Sequence, residues 1–272
     1  MARKLLGLFA LGTNRLIVAS AAKNSWRLVL AVFDSNGRPT FTDEQQVQFT
    51  DREKFTDWLR AYASKHKAVH IALGLGHGFS VTAHSSVSIM PDAETMRIMR
   101  TEPTTLFPED KTTDHVNALV HHPDAGNSSL RFKVRATEIP LITDVCAAAG
   151  LNVVRITCEQ AQLLQLAYAS GLSAEKDVRA LLITLPSSYM FVRFDAEGWH
   201  SPMYDPSVDE NTASSISSAI SDALPPGQPG RIAYVDGGLA NFSAIIDEIP
   251  DDKKFDVVKG NAQIAFYATI LN

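Results

Sequence analysis

Two groups of short apolar runs open the two halves of this chain in the same way. Near the amino terminus lie Leu5–Leu11, Arg15–Ala21 and Arg27–Phe33. In the second half Ala180–Pro186, Tyr189–Asp195 and Trp199–Tyr204 repeat the arrangement. In each group the first two runs lie a few residues apart, as strands of a hairpin do. A chain that opens both halves alike predicts two related lobes.

Between the groups the period changes. Phe55, Trp58, Leu59 and Tyr62 fall at i, i+3, i+4 and i+7, one face of a helix, and Thr50-Asp51-Arg52-Glu53 ahead of them reads as a capping box preceded by Phe49. Val69–Leu75 reads as a buried strand that runs into Gly74, Gly76 and Gly78. From Phe79 to Gly150 a separate module is expected. Ser80–Met90 alternates as a strand and closes at Pro91, and Asp92 caps a helix bearing Met96 and Met99. Asp114–His122 and Leu130–Ala136 read as further strands, and Thr137 opens a helix ended by Gly150. Asn152–Ile156 then resumes the first lobe, and Thr157-Cys158-Glu159-Gln160 is a second capping box.

After the second group come a serine-rich helix around Ile216 and Ile220, a strand Arg231–Asp236, the pair Gly237-Gly238, and a helix with Phe242 and Ile245. A strand Phe255–Val258 and a last helix from Asn261 follow. The expected fold is α/β with two lobes: residues 1–78 with 151–175, an α+β insert at 79–150, and a second lobe at 176–272. The final helix either closes the domain or precedes further chain.

Composition narrows the classes. With 272 residues, 45% apolar and 20% charged, the chain suits a globular protein with a sizeable core. A formal charge of −5 gives no global reason to expect nucleic acid or an anionic membrane as partner. Cys146 and Cys158 cannot form a disulfide framework and read as buried reduced thiols of a cytosolic protein. No signal peptide is visible, and no apolar run is long enough to span a bilayer.

The duplicated three-strand opening with alternating helices and strands resembles the actin, Hsp70 and sugar-kinase superfamily. Within it, Val87-Ser-Ile-Met-Pro-Asp-Ala-Glu94, Phe107-Pro108, Arg131–Ala136, Ala149-Gly-Leu151 and Tyr234-Val-Asp-Gly-Gly238 resemble the pilus assembly protein PilM. They are also similar to the cytoplasmic part of the secretion protein GspL and, more distantly, to FtsA. The resemblance implies a cleft for ATP between the lobes, with an Asp-x-Gly turn after each lobe's first strand. Here the first such turn reads Phe9-Ala-Leu-Gly12-Thr-Asn14, and the second has Thr184 for the aspartate and Pro186 for the glycine. Both metal-holding carboxylates are gone. Gly12, Gly237 and Gly238 then mark a vestigial nucleotide cleft, with no metal and no catalytic residue expected.

Other clusters carry less. His121 and His122 point to opposite faces of a strand, which disfavours a metal site with His115. His70, His77 and His84 cross three different elements. Ser187-Ser188 and Ser215 lack a nucleophile-elbow context. Gly74-Leu-Gly-His-Gly78 matches neither the dinucleotide nor the P-loop spacing. The expectation is therefore a non-catalytic, actin-like scaffold at the cytoplasmic face of a type IV pilus or type II secretion platform. It would bind the cytoplasmic tail of a membrane-anchored partner, with an assembly ATPase as a further partner. By resemblance to PilM, Phe79–Arg100 borders the groove for that tail. The alternatives are a divergent ATP-dependent kinase or ATPase and a filament former.

Overall fold

The computed structural model describes residues 14–76, 79–87, 92–108, 115–121, 129–169, 178–185, 188–195, 198–205, 230–236 and 254–258, with single positions at 218, 220, 222, 266, 269 and 270. They divide into two compact units. One is drawn from residues 1–80, 135–162 and 265–272, the other from 81–134 and 163–264.

The first unit is built on a five-stranded sheet. Its strands are β1 (Arg15–Ala22), β2 (Ser25–Phe33), β3 (Pro39–Gln48), β4 (His70–Leu75) and β8 (Asn152–Cys158). The spatial order is β3-β2-β1-β4-β8. β1 is central: it pairs antiparallel with β2 and parallel with β4. Ile17, Val18 and Ala19 are fully buried, as the uninterrupted apolar run requires of a strand covered on both faces.

Among the described residues the meander runs through β1, β2 and β3. Leu5–Leu11 lies outside the described residues, and the third member of the meander is β3, which the sequence pattern hides. β3 is an edge strand that starts with a proline and alternates outward Thr, Glu and Gln with few inward apolar residues. Edges favour such polar composition, because a long apolar edge invites pairing with other chains.

One helix, α1 (Arg52–His66), covers this sheet. Its N-cap is Asp51, whose carboxylate accepts from the N–H groups of Glu53 and Lys54. The cap is thus one residue later than Thr50 suggests, and with Lys54 at its third position it is a simple N-cap and not a capping box. Phe49 stacks on Phe55 at 4.0 Å, and Trp26 meets the same ring edge-on at 5.0 Å. At the other end of α1, Asp43 ties the helix to β3. It lies where the β2–β3 register shifts, in the left-handed region at φ 49°. Its carboxylate meets Lys65 at 2.7 Å, His66 at 2.6 Å and Gln45 at 2.8 Å, and its carbonyl accepts from the Tyr62 hydroxyl at 2.7 Å.

The second helix on this unit is α4 (Glu138–Ala148). Chain order places it in the insert, yet it packs on α1, where Arg60 donates to the Ala148 carbonyl at 2.8 Å. Phe266, Thr269 and Ile270 also belong to this unit, although chain order places them in the second lobe. Phe266 is fully buried among Leu16, Val29, Phe41 and Ala72, with the Arg27 guanidinium 5.0 Å from its ring. A ring that fills the face of the first sheet draws the end of the chain to it.

The second unit carries β9 (Val178–Leu185), β10 (Ser188–Asp195), β11 (Gly198–Asp205), β12 (Arg231–Asp236) and β13 (Lys254–Val258), ordered β11-β10-β9-β12-β13. This is the strand order of the first sheet, so the duplication expected from the opening runs is present. β5 (Ser80–Val87), β6 (His115–His121) and β7 (Ser129–Arg135) form a small sheet ordered β5-β7-β6, with helices α2 (Ala93–Thr101) and α3 (Pro103–Leu106) between β5 and β6 in the chain. Met99 packs with Phe107 and Leu119, so it fills core. The Arg131 guanidinium lies 3.3 Å from the centre of the Phe107 ring.

Two expectations follow for stability. Phe266→Ala empties a fully buried site and should cost about 3–5 kcal/mol of unfolding free energy, read by urea titration of tryptophan fluorescence. The hydrogen bonds from Lys65, Gln45 and His66 hold the Asp43 carboxyl down to about 2. Its contribution is full above about pH 4 and is lost as pH falls through 2. Asp43→Asn, which tolerates the left-handed backbone, should flatten the stability–pH curve across that window.

Candidate functional site

In open α/β sheets the carboxyl ends of the parallel strands are the usual ligand edge. In the first unit that edge brings together Ser20 and Ala21 of β1, Gly74 and Gly76 at the end of β4, and Glu159, the residue after β8 and the first of helix α5 (Glu159–Ala169). The hairpin after β1 turns at Lys23-Asn24, so no acid stands at the end of that strand. Gly12 lies outside the described residues.

Glu159 carries no role in the sequence pattern, where it is an inner residue of the Thr157–Gln160 capping box. It is 3% exposed. The backbone makes room for it: a Cβ on Gly76 would lie 2.7 Å from the Glu159 Oε2. A Cβ on Gly74 would likewise lie 2.7 Å from the Thr269 hydroxyl oxygen. Burial drives the Glu159 carboxyl up to about 7, opposed by a hydrogen bond with Ser20 and by the charge of Arg27. Its Oε1 has no hydrogen-bond partner among the described residues. The neutral acid is the form that such a site accommodates, and the only sequence signal for it was a glutamate directly after a short strand with apolar positions.

In the second unit Thr184 occupies the corresponding strand end on β9. It is fully buried, and its hydroxyl donates to the Val235 carbonyl of β12 at 3.4 Å. A threonine committed to a neighbouring strand supplies no anionic ligand for a metal shell. Asp236 closes β12 in register with Thr184. Pro186, Gly237 and Gly238 lie outside the described residues, as do Met90 and Pro91. Both cysteines are free and buried, which pushes Cys146 up to about 12 and Cys158 to about 11 and leaves them inert as nucleophiles.

The first unit also carries a groove on the opposite side of β2 from Arg27. Successive residues of a strand face opposite sides, so Arg27 joins the Glu159 side while Trp26 floors the groove. The groove, about 220 Å³, has walls of Phe49, Phe55, Phe79, Ile142 and Val145. Leu141 stands at its lip, 46% exposed, an unusual position for a large apolar side chain. Lys23, Asn24, Arg52 and Glu138 rim it. A second, shallower stretch of about 410 Å³ shares Arg52 and Val145 and continues between α1 and α4, past Asp57, Asp144 and Ala148. Of the expected segment Phe79–Arg100, Phe79 lines this groove.

No protein-family model matches the chain, and neither does any curated protein. Solved structures do. A Bacteroides thetaiotaomicron protein described as having an actin-like ATPase fold and unknown function aligns over 97% of this chain and 98% of its own, with TM-score 0.54 and 8% identity. The PilM–PilN type IV pilus biogenesis complex aligns over 94% and 96%, with TM-score 0.50 and 13% identity. The cytoplasmic domain of EpsL, an inner-membrane component of the Vibrio cholerae type II secretion system, aligns over 90% and 98%, with TM-score 0.48 and 14% identity. The chain has the actin-like ATPase fold.

Burial of Glu159 has a measurable signature. Below about pH 4 the acid is neutral in both folded and unfolded chains. As pH rises from there to about 7, the unfolded chain loses its proton while the folded one keeps it, so stability falls across that window and the loss is complete above 7. Glu159→Gln should match the parent near pH 4 and exceed it at pH 8 by up to about 3 kcal/mol, read by urea unfolding at the two pH values.

Proposed function

We propose that this chain is a non-catalytic actin-like scaffold of a type IV pilus or type II secretion platform. It sits at the cytoplasmic face of the inner membrane and holds the cytoplasmic segment of a membrane-anchored partner. An assembly ATPase is the second partner of such a platform. The observation that carries the reading is the pair of strand ends, Ser20-Ala21 and Thr184, where hydroxyl and methyl groups stand in place of carboxylates. Phosphoryl transfer in this fold depends on anionic ligands for magnesium, and a buried threonine bonded to a backbone carbonyl cannot replace one. The fold shared with the PilM–PilN complex supports the platform assignment. No helix among the described residues is long and apolar enough to cross a membrane, and in this reading membrane attachment runs through the partner.

The groove under Leu141 is the docking surface. It is apolar, rimmed by charge, and about large enough for one or two apolar side chains of an extended segment. The test is a titration of this chain with dye-labelled cytoplasmic segments of the membrane proteins encoded beside it, followed by fluorescence anisotropy. A segment should bind, and Leu141→Glu, an exposed substitution that leaves the fold intact, should weaken it at least about tenfold. Segments that bind equally to both proteins would remove the groove from the reading.

A divergent ATPase is the second reading, and Glu159 favours it, being a carboxyl at the ligand edge of the first sheet with a raised proton affinity. The two readings separate in a thermal-shift titration. The scaffold predicts no magnesium-dependent rise in melting temperature with Mg-ATP, whereas an ATPase predicts a rise of several degrees at saturating nucleotide.

A further inference from the structure

We propose that the groove selects its occupant by charge as well as by apolar fit: a membrane partner's cytoplasmic segment with an apolar side chain followed closely by lysine or arginine. The inference rests on the docking reading above and adds the chemistry of the partner. The apolar half is set by Trp26, Phe49, Phe55 and Leu141. Trp26 is 2% exposed, and its indole N–H has no hydrogen-bond partner among the described residues. A main-chain carbonyl brought in by a bound segment supplies that acceptor.

The charged half is the stretch between α1 and α4. Glu53, Asp57 and Asp144 face it, with Arg52 and Arg60. Arg60 is already engaged, 2.6 Å from Asp57 and bonded to the Ala148 carbonyl. Glu53 and Asp144 form no ion pair among the described residues, and both are exposed. Arg52 on the same stretch offsets one of these acids, so the stretch keeps a net negative charge directly beyond the apolar pocket. Arg52 stands where the two stretches meet, and Lys23 rims the far end. A basic residue is favoured on the Asp144 side, whereas at the apolar pocket Lys23 is offset by Glu138. Cytoplasmic segments next to membrane spans carry an excess of lysine and arginine, so the groove and its expected partner match in sign.

The test uses the full chain and two synthetic dye-labelled peptides that share a Leu-Phe anchor. One continues with two lysines, the other with two glutamates. Anisotropy titrations on the parent should favour the lysine peptide about tenfold at low salt, with the preference shrinking as salt rises. Glu53→Lys combined with Asp144→Lys should reverse the preference, and Leu141→Glu should weaken both peptides. Asp144→Lys alone serves where the lysine at position 53, in the first turn of α1, lowers the melting temperature. If both peptides bind alike to parent and charge variants while Leu141→Glu still weakens them, charge selection is overturned and the groove stands. If neither peptide binds, or binding ignores Leu141→Glu, the docking reading falls with it.

Discussion

A central strand buried on both faces is the constraint on which the rest of this molecule depends. β1 and β9 each have an antiparallel partner on one side and a parallel partner on the other. Ile17, Val18, Leu181 and Leu182 are accordingly fully buried. The antiparallel side is closed by a hairpin. The parallel side needs a crossover with a helix, which places chain on both faces of the sheet. Once the central strand is fixed, the position of the ligand edge is fixed with it. Here the ends of β1 and β9 at that edge are small or hydroxyl-bearing, while acids stand on neighbouring strands, at Asp236 and just after β8 at Glu159.

The polar groups at that edge follow from burial. Thr184 is bonded to the adjacent strand, and Ser20 to Glu159. Glu159 is accommodated because Gly76 lacks a side chain, and its proton is retained because the site offers its carboxylate few partners. Arg27 stands on the same side, paired with Glu44 at 2.6 Å and stacked over Phe266. One strand thus serves two surfaces: Arg27 faces the acid and the returning end of the chain, while Trp26 faces the groove.

The groove takes shape where α1 and α4 meet beside β2. Phe49 and Phe55 of that wall begin a series of ring contacts that continues along α1 through Trp58 and Tyr62 to His66. Asp51 fixes the start of the helix, and Asp43 fixes its end to the sheet edge. A helix pinned at both ends leaves its wall of the groove little freedom to rearrange, which would lower the ordering cost of the docking proposed for it.

The sequence by itself determined the strands whose apolar runs are continuous. β1, β2, β9, β10 and β12 could be read directly, because a strand buried on both faces has no polar positions to blur it. The same runs exposed the duplication and the loss of charge at Thr184. β3 was illegible for the opposite reason, since an edge strand is polar by necessity. Glu159 passed as an inner residue of a capping box, because its neighbours in sequence say nothing of Gly76, just beyond β4, which makes room for it. Only the tertiary structure decided that α4 belongs beside α1, that Phe266 returns to the first sheet, and that Trp26, Phe49, Phe79 and Leu141 share one groove. Those facts depend on contacts between segments far apart in the chain, where local pattern carries no information and shape complementarity and burial select the partner.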